Sequence, residues 1–223
     1  LVVCKSQIAT IQLSDSILSL AVAPDTKIGI QEYRSEIRPL LNWSSTSQWN
    51  VTDTDIRSAI GSYSDVYMGP SSNPMADLRS YIAARFRLLV YGVGGNWWHL
   101  LGYKQRPKLA PAELIGGIGE AVSGYWLENR MQMIYLLRPV GVSTDGIIQD
   151  NQGVWGPIEV KTTVGSSSYA QEKALSASRL LLKLYAHHEF VNRNVPQSTL
   201  GLAFSIGVRL SNQIEVFCIE FRR

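Results

Sequence analysis

Three side chains stand at a spacing that suits chemistry on a phosphodiester: Asp145 and, fourteen residues later, the Glu159-Val160-Lys161 tripeptide. In an extended strand successive side chains alternate between faces, so Glu159 and Lys161 share one face. If Asp145 opens the preceding strand, a hairpin pairing brings its carboxylate alongside that of Glu159. Two adjacent carboxylates repel unless a cation sits between them, and oxygen ligands favour Mg2+ or Mn2+. A neighbouring ammonium can hold an attacking water or offset negative charge on a phosphate. The expected chemistry is metal-assisted hydrolysis.

An acid-x-Lys tripeptide alone carries little information. With 18 acidic residues and few lysines, a chain of this length holds roughly half a match by chance. A second match exists at Asp25-Thr26-Lys27, preceded by Pro24. It lies at the end of a predicted helix, with no strand before it and no suitable upstream acid. The Glu159 tripeptide has both, together with apolar neighbours in Ile158 and Val160.

The elements that must position these groups follow from hydrophobic period. A helical pattern runs from Pro111 to about Asn129, with Leu114, Ile118, Val122, Tyr125 and Trp126 at intervals of three and four. Three short β-branched or apolar runs follow, 131–140, 144–149 and 155–163, separated by Gly, Asn, Asp and Pro. Residues 168–187 return to helix behind a Ser-rich cap, and 200–210 and 213–221 read as two more strands. The predicted order is helix, three strands, helix, two strands, an α/β core over residues 106–223.

On these residues the chain resembles the PD-(D/E)xK nuclease superfamily, and the resemblance covers about Pro111 to Arg223. It implies a restriction-endonuclease-like core: a mixed central sheet flanked by helices. It also implies that Asp145 and Glu159 bind Mg2+ or Mn2+, that the Val160 carbonyl completes the metal shell, and that Lys161 orients water and stabilises charge. Glu120, in the Gly-Ile-Gly-Glu-Ala segment, would be the acid borne by the first helix. The implied substrate is nucleic acid, with DNA expected, and a homodimer would suit cutting of both strands. Thr144 stands where the eponymous Pro would be. Gln171 lacks the Tyr four residues later that RecB-type members carry.

Glu120 has a competitor in Glu113 on nearly the same helix face. Gly116, Gly117 and Gly119 cost helix stability and suggest a close backbone approach near Glu120. Glu159 and Lys161 could alternatively form an ordinary surface pair, which leaves a nucleic-acid-binding or scaffold module without turnover as the rival reading. Adjacent His187 and His188 point about 100 degrees apart on a helix and suit a helix C-terminus better than one shared ion.

Residues 1–105 read as a mainly helical N-terminal region. Within it, 6–23 has roughly helical apolar spacing ended by Pro24, and a second helix opens at Pro74. Gly92 to Gly95 and the basic connector Lys104, Arg106 and Lys108 mark the expected boundary. With Arg79, Arg85 and Arg87 the connector could contact phosphates, whereas Trp97 and Trp98 are expected to pack.

Composition bounds these readings. At 223 residues, 45% hydrophobic and 17% charged, the chain can bury a sizeable core and is too apolar for disorder. A net charge of +3 tolerates a polyanion without announcing one. No apolar run approaches the roughly 20 residues of a membrane span. Cys4 and Cys218 are too few for a disulfide framework or a four-ligand zinc site, so a reducing, cytoplasmic setting is expected.

Overall fold

A computed structural model describes residues 2–51, 112–137, 145–164, 166–186, 200–209 and 213–223. In chain order the elements are β1 (Val2–Gln12), α1 (Asp15–Val22), α2 (Lys27–Ile37), a 3-10 turn (Arg38–Leu40), β2 (Ser44–Val51), α3 (Ala112–Arg130), β3 (Ile134–Leu137), β4 (Gly146–Gln149), β5 (Trp155–Val164), α4 (Ser167–Ala186), β6 (Leu200–Arg209) and β7 (Gln213–Arg222). The strands form one seven-stranded mixed sheet in the order β2-β1-β7-β6-β5-β4-β3. Pairs β1/β7 and β5/β6 are parallel and the other four are antiparallel. From α3 onward the element order is the one that hydrophobic period predicts.

The start of the chain departs from that reading. Residues 6–23 were expected as one helix; instead β1 occupies the first part and α1 begins only after Ser14, whose hydroxyl accepts from Ile17 N at 3.4 Å. Ile8 and Ile11 fit a helical interval, but β1 lies between β2 and β7 and its buried side changes along its length. Cys4 and Ser6 are buried on one side, and Ala9 and Ile11 on the other. Burial alternates within each half of β1, with Lys5, Thr10 and Gln12 exposed, and shifts by one residue at Gln7 and Ile8, so that Ile8 and Ile11 at a spacing of three mimic a helical period. Because β1 and β2 join the same sheet as β3 to β7, a boundary near residue 105 does not separate residues 2–51 from the core. The helix expected from Pro74, the Gly92 to Gly95 break, Trp97, Trp98, the Arg79 to Lys108 basic group, Thr144 and His187-His188-Glu189 lie outside the described residues.

The sheet is covered on both faces. On one side α4 brings Ala170, Ala174 and Ala177 against the strands, and small residues permit a close approach: a Cβ at Gly207 of β6 would stand 3.0 Å from Ala170 Cβ. Helices α1 and α2 close the same layer. Their Ile17, Ala21, Tyr33 and Ile37 share an apolar core with Leu181, Leu182, Phe217, Ile219 and Phe221, each large side chain contributing about 1.5–3 kcal/mol by burial. Ser178 Oγ donates to Leu175 O, so the buried Tyr33 hydroxyl donates in turn to Ser178 Oγ at 2.7 Å. On the other face α3 buries Trp126, whose ring meets Phe204 edge-on at 5.6 Å.

Both cysteines lie in this core as free thiols. Burial pushes the Cys4 thiol up to about 12 and raises that of Cys218 as well, so neither forms thiolate near neutral pH. No described helix is long and apolar enough to cross a membrane.

Candidate functional site

The geometry at Asp145 begins with a turn. Asp150 Oδ1 accepts from the amides of Gln152 and Val154, both at 2.9 Å, and Asp150 O accepts from Gly153 N at 3.0 Å. Gly153 closes the turn with φ of +79°, a conformation that glycine adopts without steric cost. This Asp-Asn-Gln-Gly turn joins β4 to β5 and sets their register, Gln149 opposite Trp155 and Gly146 opposite Ile158. One further step along the ladder brings Asp145 opposite Glu159.

Asp145 does reach β5. Its Oδ2 accepts from Val160 N at 2.7 Å, and its own amide donates to Ile158 O at 3.2 Å. The structure therefore joins Asp145 to the Glu159-Val160-Lys161 backbone, as the hairpin expectation requires. Val160 contributes its N–H to this contact; its side chain is buried.

Along β5 the pleat sends Glu159, Lys161 and Thr163 to one face and Ile158, Val160 and Thr162 to the other. Thr163 pairs with Gly207, which packs on Ala170, so the Glu159 face is the α4 face. Glu159 is buried, its side chain 3% exposed, and Lys161 Nζ donates to Glu159 Oε1 at 2.5 Å. The lysine side chain is 40% exposed. A carboxylate at this depth requires a cation or several donors, because desolvating an uncompensated charge costs several kcal/mol. Lys161 meets part of that requirement.

Ser205 is a neighbour that sequence reasoning missed. It pairs in register with Lys161 and is fully buried, and its hydroxyl has no hydrogen-bond partner among the described residues. A single serine in the apolar Leu200–Arg209 strand carries no motif that would single it out.

Glu120 is placed differently. It lies on α3, which packs on the Thr162 face of β5: a Cβ at Gly119 would fall within the van der Waals radius of Thr162 Oγ1 and 3.0 Å from Thr162 Cβ. The close backbone approach expected from the glycine cluster is real at Gly119, and it serves the packing of helix on strand. A Cβ at Gly116 meets no described atom within 4 Å. Among the described residues no three His, Cys, Asp or Glu side chains converge as a metal-binding group.

The competing tripeptide has another task. Asp25 follows α1, and its carboxylate takes hydrogen bonds from Arg179 and, at 2.6 Å, from Lys183, both on α4. Arg179 is buried and also donates to Ala23 O at 2.6 Å, the carbonyl that caps the end of α1. Thr26 caps α2 by accepting from Gly29 N at 3.0 Å. Asp25 and Thr26 thus lock the α1–α2 corner onto α4.

Asp145 and Glu159 offer carboxylate oxygens of the type a hard divalent ion takes, and Glu159 Oε1 already holds the Lys161 ammonium. No family model, no curated protein and no solved structure matches this chain.

Proposed function

We propose that this chain is a Mg2+- or Mn2+-dependent nuclease that hydrolyses phosphodiester bonds, with DNA the expected substrate, on a restriction-endonuclease-like core. The observation that carries the reading is the 2.7 Å bond from Val160 N to Asp145 Oδ2, which gathers an acid and a Glu-x-Lys tripeptide from adjacent antiparallel strands. The order of α3, three strands, α4 and β6 supports it, since the superfamily core resembles that order.

Asp145 and Glu159 would hold the metal, with the Val160 carbonyl as a further oxygen. The ion, when bound, would lower the pKa of a coordinated water and neutralise charge on the scissile phosphate. Lys161, once turned from Glu159, would orient the water and balance the negative charge that builds on phosphorus. Water would give up a proton to solvent as its oxygen bonds to phosphorus and one ester P–O bond breaks, and the departing alkoxide would take up a proton from solvent. A homodimer would present two such sites to the two strands of a duplex.

A specific observation also favours the rival reading of a nucleic-acid-binding or scaffold module. Glu159 is already neutralised by Lys161, and Asp145 already serves as an acceptor for backbone. One assay separates the two. The purified chain is incubated with plasmid, linear duplex, single-stranded DNA and RNA in Mg2+, Mn2+ or EDTA. Cleavage that needs metal and disappears in Lys161→Ala supports the nuclease. Retention of nucleic acid without cutting in any metal supports the module and overturns the enzyme.

A further inference from the structure

We propose that the Lys161 ammonium is an internal competitor for the cation position on Glu159, so that a divalent ion binds there only by displacing it and thereby releases the lysine for use. The inference deepens the nuclease reading and rests on it for the purpose of the released ammonium.

Three observations carry it. Nζ lies 2.5 Å from Oε1, which is direct contact between an ammonium and a carboxylate oxygen of the residue proposed to hold the metal. Glu159 is 3% exposed at its side chain, so the contact is made where charge is poorly screened. Lys161 is 40% exposed, and its flexible four-carbon stem has open solvent into which it can swing while its backbone stays in β5. An ammonium at 2.5 Å and a divalent ion at about 2.1 Å cannot share one carboxylate oxygen without strong mutual repulsion.

The exchange is therefore one cation for another at Oε1. The ammonium keeps its protons and no covalent bond changes. Its consequence is an ordered site: without metal, Lys161 is sequestered against its own strand neighbour; with metal, it is set free beside the ion. Accumulation of a reactive arrangement then depends on metal occupancy twice, through the ion itself and through the lysine that the ion evicts.

The proposal predicts the opposite sign from that expected when a binding-site residue is removed. Calorimetric titration of the full chain with Mn2+ should show Lys161→Met binding about tenfold more tightly than the wild type, a difference of about 1.4 kcal/mol. Lys161→Arg, which keeps a cation on Glu159, should stay near the wild-type affinity. Affinity unchanged or weakened in Lys161→Met overturns the proposal.

A measurement on the unaltered chain guards against a variant that does not fold. In protein labelled with 15N-lysine, the Nζ resonance of Lys161, held on a buried carboxylate, should shift or broaden away as Mg2+ is added. A resonance unmoved at saturating Mg2+ overturns the proposal. Cleavage assayed in parallel keeps the two ideas apart. Tighter Mn2+ binding in Lys161→Met with no cleavage by the wild type sustains the competition and sinks the nuclease; cleavage by the wild type without tightening does the reverse.

Discussion

The carboxylate of Asp145 and the amide of Val160 meet at 2.7 Å across a chain separation of 15 residues, tying the residue before β4 to the middle of β5. This bond gives Asp145 a structural task beside any catalytic one. The two tasks can be separated by chemistry, because an amide keeps an acceptor oxygen and loses the charge.

Asp145→Asn is accordingly expected to retain most of the fold's stability while losing divalent binding and cleavage. Asp145→Ala should lose both, with a stability cost of about 1.5–3 kcal/mol for a hydrogen bond to a charged acceptor. Urea denaturation of the two variants, read beside Mn2+ calorimetry, checks the split. Equal destabilisation of the two would remove the structural part of the argument.

The packing of α3 on β5 predicts opposite outcomes for two glycines one turn apart. Gly119→Ala should destabilise by about 1–3 kcal/mol, because its Cβ drives into Thr162. Gly116→Ala, which meets no described atom within 4 Å, should stabilise by about 0.5–1 kcal/mol through helix propensity. Adding Thr162→Ala to Gly119→Ala removes the hydroxyl and should recover part of the loss. Thermal melts of the three proteins test this, and a stabilised Gly119→Ala would show that α3 does not sit where described.

The β4–β5 turn makes register itself testable. Gly153→Ala forces a side chain into a left-handed conformation, at a cost of about 1–2 kcal/mol. Since that turn sets Asp145 against Glu159, the variant should weaken Mn2+ binding without touching any ligand. Loss of stability with wholly unchanged Mn2+ affinity would contradict the link between turn and site.

Asp25 predicts a pH dependence at the α1–α2 corner. Hydrogen bonds from Lys183 and then Arg179 hold its carboxyl below the usual carboxylate range. A group whose folded pKa is depressed stabilises above its unfolded pKa, about 3.9 for Asp, and loses that contribution as pH falls through the folded value. The melting temperature of Asp25→Asn should thus lie below that of the wild type at pH 7, and the gap should close as pH drops below about 4. A gap that stays constant into acid would argue against the pairing.

Most of the second half was legible in the sequence, because its strands are bounded by turn residues and alternate with long amphipathic helices. The Asp150 to Gly153 turn and the Ser166 hydroxyl, which accepts from Tyr169 N at 3.3 Å at the start of α4, carry local chemistry that can be read without tertiary knowledge. β1 was not legible: its alternation changes phase midway, and its place beside β7 is a pairing over more than 200 residues of chain. Asp145, Glu159 and Lys161 were readable as a pattern, whereas the lysine's position on Glu159 Oε1 depends on burial that only the sheet and α4 create. Glu120 was readable only as a helix-borne acid, on the helix that packs against the Thr162 face of β5. Helix period identifies a face but not which side of the sheet that face will meet, and Gly119 settles this by its approach to Thr162.

The central claim is that Asp145 and Glu159 together hold one divalent ion, and anomalous diffraction from crystals soaked in Mn2+ tests it most directly. The account predicts a single strong Mn2+ peak about 2.1 Å from a carboxylate oxygen of each residue, with Lys161 Nζ moved off Glu159 Oε1. No peak at saturating Mn2+, or a peak that touches neither carboxylate while Lys161 remains in place, would contradict it.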